Sequence, residues 1–299
     1  MRSSFLTIAI LSAIGMSALF AISFADRGNV SADSIPSIEA MKADYRRPAT
    51  IPDSEDKAAF SKRAALGKSL FFDPRLSKAG DFSCASCHNP SLAWSDGLPT
   101  AIGHMGRRAE RRTPGLENLA WGGPFFWDGR ASSLEDQARG PMQAAKEMDT
   151  PLEHVVDTVS SIPGYRSAFA EAFPGATIAI DLVVKAIADF ERTIVSEKAP
   201  FDAWIEGDEK AISASARRGF LLFNDKGHCA TCHSGWRLTD DGFHDVGVDS
   251  ADIGRGKLIP KNPIVAYAFK TPSLRNVALR APYMHDGSFE DIARRYRLL

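Results

Sequence analysis

The residues of this 299-residue chain whose types and spacing most directly imply chemistry are its four cysteines. They stand as two pairs, Cys84-Ala85-Ser86-Cys87-His88 and Cys229-Ala230-Thr231-Cys232-His233. In each, C-x-x-C is followed at once by His, the attachment signature of c-type haem. Two thiols add across the two vinyl groups on one porphyrin edge, and the next His swings its imidazole under the iron as proximal ligand. Three other uses of such cysteines compete: a structural Zn(Cys)4 site, a redox C-x-x-C, and plain disulfides in an oxidising compartment. The long interval between Cys87 and Cys229 exceeds that of a zinc ribbon, and neither zinc nor a redox pair requires His after both knuckles. Two accidental CxxCH motifs are far rarer than one. The expected cofactors are therefore two c-type haems (iron), attached through Cys84, Cys87, Cys229 and Cys232, with His88 and His233 on the metal.

The elements that must position these groups repeat. Ala64-Ala65-Leu66-Gly67-Lys68-Ser69-Leu70-Phe71-Phe72 precedes the first motif and Ala216-Arg217-Arg218-Gly219-Phe220-Leu221-Leu222-Phe223 the second. In both, Leu and Phe follow Gly by three and four residues, which keeps one helical face apolar. Glycine inside a helix costs about 1 kcal/mol relative to Ala, so close approach of another helix or of the haem is its expected reason. The repeat predicts a mainly α fold of two cytochrome c-like domains, each with one haem. Further helices are read at Leu134 to Ala145, at Thr150 to Ile162 with Pro151 in the first turn, and at Ile180 to Thr193 with an apolar face. The expected order is a signal peptide over 1–25, a flexible leader with little structure over 26–52, an N-terminal domain over 53–205, and a C-terminal domain over 206–299. The boundary is placed near Glu197 to Ile212.

Composition narrows the class. Hydrophobic residues at 44% and charged residues at 24% fit an ordinary globular chain rather than a disordered one. A net charge of −1 leaves no footprint for nucleic acid or an anionic membrane. Arg2 is the only charge before Asp26, and Phe5 to Phe24 is almost unbroken apolar sequence. This reads as a secretory signal cleaved after Ala25, against an uncleaved anchor helix. Both readings export the rest of the chain, here to the periplasm.

Three further stretches carry a family resemblance: Phe126-Trp127-Asp128-Gly129-Arg130; Leu134-Glu135-Asp136-Gln137-Ala138 with Gly140-Pro141; and Thr271-Pro272-Ser273-Leu274-Arg275-Asn276 with Ala281-Pro282-Tyr283-Met284-His285-Asp286-Gly287. With the two CxxCH motifs, in this order, the chain from about Pro52 to Phe289 resembles the bacterial di-haem cytochrome c peroxidases and their MauG-like relatives. The resemblance implies an oxidoreductase whose N-terminal haem is the peroxide site and whose C-terminal haem transfers electrons. It implies that Trp127 aids electron passage between the haems. It also implies that Gln137, Pro141 and Glu147 line the peroxide pocket. Chemically, a carboxylate in a partly dry pocket can take a peroxide proton and return it to the leaving oxygen. Gln137 can hydrogen-bond the bound oxygens without adding charge. Read without the resemblance, Glu147 is a solvated helix-end residue, Gln137 a surface amide and Trp127 a core aromatic.

The resemblance also raises sixth ligands. His104 stands at the spacing from His88 where some members ligate the peroxide haem at rest, against a loop histidine or a distal donor. For the C-terminal haem, Tyr296 matches the family's Met or Tyr ligand but comes sooner after His285; Met284 is a weaker candidate. His154, His228 and His244 are read as non-axial. The family binds Ca²⁺ between its domains through an Asn just before a TP or SP dipeptide; Arg112 occupies that position here. A cation cannot coordinate Ca²⁺, so the ion is absent or replaced by the guanidinium. Implied partners are H2O2 with a small electron-donor cytochrome c or cupredoxin, or a protein substrate. A homodimer is compatible with the family. Three functions compete: a peroxidase reducing H2O2 to water with electrons entering through the C-terminal haem, a MauG-like oxidase modifying a partner protein through high-valent haem, and a non-catalytic electron-transfer cytochrome.

Covalent attachment has a direct check. The mature protein is expected to carry the added mass of two haems, and replacing either Cys pair by Ala is expected to remove one. Haem that passes into acidified organic solvent from the denatured protein would exclude attachment.

Overall fold

Helices build most of the architecture because apolar residues recur at helical spacing with polar caps at their starts. The computed structural model describes residues 37–52, 54 and 56–292, and from Ile38 onward they belong to one compact unit. The predicted signal segment 1–25 and Tyr296 lie outside the described residues. No described helix is long and apolar enough to cross a membrane.

The main core forms where α2 (Lys57–Phe71) packs along α7 (Ile180–Arg192). Asp56 caps α2, its carboxylate accepting from the Ala58 and Ala59 amides at 3.1 and 3.0 Å. Leu66, Leu70 and Phe71 of α2 meet Val183, Val184 and Ile187 of α7, all of them buried. A side chain of this size contributes roughly 1.5–3 kcal/mol when fully buried. Gly67 sits at the crossing, where a Cβ would run into the Ala186 carbonyl. Close helix approach is thus the reason for this glycine, as its mid-helix position suggested. α4 (Leu134–Gln143), α5 (Leu152–Ser161) and α6 (Pro163–Ala172) complete the layer, adding Met142, Val155, Val159 and Phe169. α4, α5 and α7 agree with the spacing-based ranges to within two residues, except that Pro151 caps α5 from outside its first turn, and α6 was not anticipated.

The first CxxCH motif forms the short helix α3 (Cys84–Cys87), between α2 and α4. A second core lies around α1 (Ile38–Asp44), α8 (Pro200–Ile205) and α9 (Ala214–Asn224). Here the expectation of a flexible leader with little structure over 26–52 is corrected for its described part from Ile38, while 26–36 lie outside the described residues. Met41 and Tyr45 pack on Trp204, Ile205 and Phe220, and the Tyr45 hydroxyl donates to Asn224 Oδ1 at 2.7 Å. Lys42 is buried with its ammonium 4.3 Å above the Trp204 ring and paired with Glu209 at 2.5 Å. A lysine on a short polar helix looks solvated in sequence; an aromatic face and a carboxylate make its burial tolerable. The second repeat copy differs from the first: a Cβ on Gly219 would meet nothing within 4 Å, and Leu222 is exposed.

The described sheet consists only of β1 (Phe243–His244) paired antiparallel with β2 (Phe269–Lys270). The loops contain a repeat that the CxxCH-centred reading did not reach. Residues 118–131 and 276–289 follow one path: an Asn with positive φ, a single 3-10 turn, a cis proline, a positive-φ residue, and a Gly with positive φ. Each path closes on an isolated bridge, Phe125 to Ala131 and Tyr283 to Phe289. Trp127 and His285 occupy corresponding places on the two loops.

The α2–α7 contact yields a stability test. Helix propensity alone favours Gly67→Ala by about 1 kcal/mol, but here the methyl meets a backbone carbonyl that no rotamer change can move. The variant is expected to lose about 2 kcal/mol net in urea unfolding, within the range for overpacked cores. An unchanged or higher midpoint would show that the helices separate freely.

Candidate functional site

Each CxxCH closes into one turn. The His88 amide donates to the Cys84 carbonyl and the His233 amide to the Cys229 carbonyl, both at 2.9 Å. The next loop then fixes each ring. His88 Nδ1 lies 3.0 Å from the Trp94 carbonyl, and His233 Nδ1 lies 3.0 Å from the Leu238 carbonyl. A carbonyl only accepts, so Nδ1 carries the proton and Nε2 the lone pair, the tautomer a metal needs. Phe71, Trp94 and Phe190 pack edge to face beside His88, and burial lowers its pKa, keeping it neutral. All four cysteines are free of disulfides, and the four thiols do not gather into one cluster among the described residues. Pairs held apart in this way do not form a shared tetrahedral zinc site.

A partly open cavity adjoins the first motif. Its wall contains Cys84, Cys87 and His88 on one side and Gln137, Pro141 and Glu147 on another, so the structure brings the predicted trio to the first motif. α4 does this: Ser133 caps it by accepting from the Asp136 amide at 3.0 Å, which starts the helix that carries Gln137 and Pro141 inward. Pro141 has no N–H for the Gln137 carbonyl, and α4 ends two residues later. The chain then turns through Ala144, whose carbonyl takes the Glu147 amide at 2.8 Å. Burial raises the Glu147 carboxyl above the usual range, opposed by the charge of Arg130. Burial likewise pushes the Cys84 and Cys87 thiols up to about 12 each. Unmodified, they would stay protonated and inert.

His104 does not line this cavity. It is buried, with Nδ1 unpartnered and Nε2 3.8 Å from Asp149, while its amide donates to the Glu147 carbonyl at 2.7 Å. Its loop therefore braces Glu147 from behind. Trp127 is also outside the cavity and stands between the halves. Its indole N–H donates to the Arg112 carbonyl at 2.8 Å, its own carbonyl takes the Lys270 amide at 2.8 Å, and the Arg112 amide donates to the His285 carbonyl at 2.7 Å. The buried Arg112 guanidinium donates to the Arg280 carbonyl. Arg111 adds two charge contacts of 2.6 Å, to Asp128 and to Asp252. Burial pushes both carboxyls up, but the pairings with Arg111 outweigh it and hold both below their ordinary range. His244 is engaged by Asp240 at 2.7 Å.

One cavity residue escaped the sequence reading. Glu191, near the end of α7, lines the same wall; it is buried and its Oε2 has no hydrogen-bond partner. Burial pushes its carboxyl up to about 8, with Arg192 opposing and Glu135 reinforcing. The signal was available: Glu191 falls four residues after Ile187, on the apolar stripe of the helix.

Two His-terminated Cys turns, each with its ring tautomer fixed, on a mainly helical scaffold, define a protein built to hold two haems. The chain belongs to the di-haem cytochrome c peroxidase family, whose model matches residues 61–210. It is 52% identical over 253 residues to the methylamine utilization protein MauG of Methylorubrum extorquens, covering 84% of this chain and 72% of that protein. It is 37% identical over 251 residues to the cytochrome c551 peroxidase of Pseudomonas aeruginosa, covering 80% of this chain and 72% of that protein. A crystal structure of a MauG-like protein associated with microbial copper homeostasis superposes with a TM-score of 0.74 at 30% identity, covering 84% of this chain and 78% of that one. The protein is an oxidoreductase of the di-haem cytochrome c peroxidase type. The residues present fit haem. The donor set is right, and Phe82, Ala138, Pro141, Met148 and Ile187 give the first cavity the apolar lining that a flat ring requires.

Proposed function

We propose that the protein is an exported MauG-like di-haem oxidase, which uses peroxide-level oxidising equivalents to modify side chains of a partner protein. The supporting observation is the relatives' order: the proteins named MauG share 52% and 46% identity with this chain, and the cytochrome c551 peroxidases 37% and 38%. This shifts the emphasis from the peroxidase reading that the motifs alone put first. His104 standing outside the cavity fits the same choice, since no resting histidine need leave before peroxide enters. Membership of an enzyme family, with Gln137, Pro141 and Glu147 around one cavity, leaves the non-catalytic reading without support.

In this reading the chain has two cytochrome c-like domains, with haems attached at Cys84 and Cys87 and at Cys229 and Cys232. His88 and His233 would hold the irons, and Tyr296 is the further residue proposed to bind at the second haem. The bound haem of the first site supplies the iron at which the peroxide O–O bond breaks. Glu147 holds and moves the proton, taking it from one peroxide oxygen and returning it to the other. Its raised pKa brings it nearer neutrality, where a group can serve as both base and acid. Gln137 orients the oxygens by hydrogen bonding, and Pro141 keeps the wall apolar. Trp127, tied to both halves through Arg112, carries electrons between the sites. The Arg112 guanidinium takes the place of Ca²⁺. The apolar leader supports export to the periplasm.

The test is kinetic and spectroscopic. Glu147→Gln is expected to slow the reaction with H2O2 by roughly 10²–10⁴-fold, with both haems retained and the second haem's potential unchanged. An undiminished rate would remove Glu147 from the mechanism. Rapid turnover with a small cytochrome donor would restore the peroxidase reading. Incubation with a Ca²⁺ chelator is expected to leave the rate unaltered; a loss reversed by Ca²⁺ would show that the ion binds despite Arg112.

A further inference from the structure

Glu191 is a buried carboxyl that the chemistry above does not use, and its place is informative. It stands on the wall of the cavity that also contains Cys84, Cys87, His88 and Glu147. Only 5% of it is exposed, and Oε2 has no hydrogen-bond partner. An orphaned carboxyl oxygen is costly to bury, more so when ionised. The purely structural use of a glutamate, to pair with an arginine, is already filled nearby. Arg192 pairs with Glu135 at 2.9 Å and with Asp189 at 3.2 Å, and Asp189 is also held by Arg63 at 2.5 Å and Lys185 at 2.7 Å.

That ionic cluster reaches solvent. Glu135 and Lys185, 3.5 Å apart, have side chains 20% and 35% exposed. Glu191 lines the apolar cavity and lies close enough to Arg192 and Glu135 of this cluster to feel their charges. We propose that Glu191 is the proton-delivery residue of this cavity, passing protons from the Glu135–Arg192–Lys185 cluster to the oxygens that leave as water.

The stoichiometry calls for such a group. Reduction of H2O2 to two waters takes up two electrons and two protons. The electrons come from the oxidised partner, whether protein side chains or a redox protein. Glu147 moves a proton from one peroxide oxygen to the other and supplies none in net terms. The two additional protons enter from outside. In each delivery the Glu191 O–H bond breaks, an O–H bond forms on the departing oxygen, and the carboxylate left behind takes a proton from solvent by way of Glu135. With its pKa pushed up to about 8 by burial, Glu191 is mostly protonated at neutral pH and so holds a proton to give. The charges that reach it are those of Arg192 on α7, Glu135 on α4 and Cys84 on α3, and Cys87, His88 and Glu147 share its cavity. Haem attachment converts Cys84 to a thioether and removes its titration.

This role rests on the proposed reaction with peroxide, and the test separates the two. Infrared spectra of the haem-loaded parent at pH 7 are expected to contain a protonated-carboxyl C=O band that Glu191→Gln removes and Glu147→Gln leaves. In stopped-flow mixing with H2O2 and saturating reductant, Glu191→Gln is expected to slow return to the starting state by about 10²-fold, the low end for acid–base groups, with an enlarged solvent isotope effect. The initial reaction with peroxide keeps its rate, whereas Glu147→Gln slows that first step. Glu191→Asp is expected to restore part of the lost rate. An infrared band that persists in Glu191→Gln, or an unchanged return rate, overturns the delivery role while the peroxide reading stands. A band lost on substitution in a parent that does not react with peroxide overturns both.

Discussion

The two halves are held in register by the backbone of one residue. Arg112 accepts from the Trp127 indole with its carbonyl and donates its amide to the His285 carbonyl. Trp127 and His285 are equivalent positions on the repeated loops, so this one residue links each loop to its counterpart. The surroundings reinforce it. Arg111 spans Asp128 of the first loop and Asp252 of the second half, and the Arg112 guanidinium reaches the Arg280 carbonyl. Charged hydrogen bonds of this kind, shielded from water, are stronger and more directional than exposed pairs. Through this residue the first loop, and the half that carries the first cavity and its CxxCH turn, is joined to the second half.

Within the first half, one contact sets the rest. α2 and α7 approach so closely at Gly67 that the α7 backbone itself is part of the core. That proximity places Phe190 against Phe71 and Trp94 beside the His88 ring and leaves Glu191 on the cavity wall. The same helix therefore braces the metal-binding imidazole and supplies a carboxyl to the pocket. A wider crossing would loosen both.

Much of this was legible in the residues. The CxxCH turns, the Gly-x-x-Leu-Phe helices and the amphipathic runs of α4, α5 and α7 declare themselves through spacing, which is local. The trio Gln137, Pro141 and Glu147 was legible only through resemblance, since a lone Gln or Glu on a helix reads as solvated. Glu191 and the α1 segment were missed for a related reason. A charged residue in sequence carries no sign of burial when its compensation, such as the Trp204 face under Lys42, is distant in the chain. The loop repeat was legible too, since Asn118, Pro124, Asp128 and Gly129 recur as Asn276, Pro282, Asp286 and Gly287, but attention to the cysteines passed over it.

The glycines of those loops have a consequence for how the molecule comes apart. A Cβ on Gly129, in the first half, would strike Phe243 of the second; a Cβ on Gly287, in the second half, would strike Pro99 of the first. Each half thus pushes a side-chain-free turn into the other, a reciprocal latch rather than a flat seam. Neither half can loosen without withdrawing both turns together. Thermal melting of residues 38–292 is then expected to be a single cooperative event, with a lesion in either latch lowering the melting temperature of both halves alike.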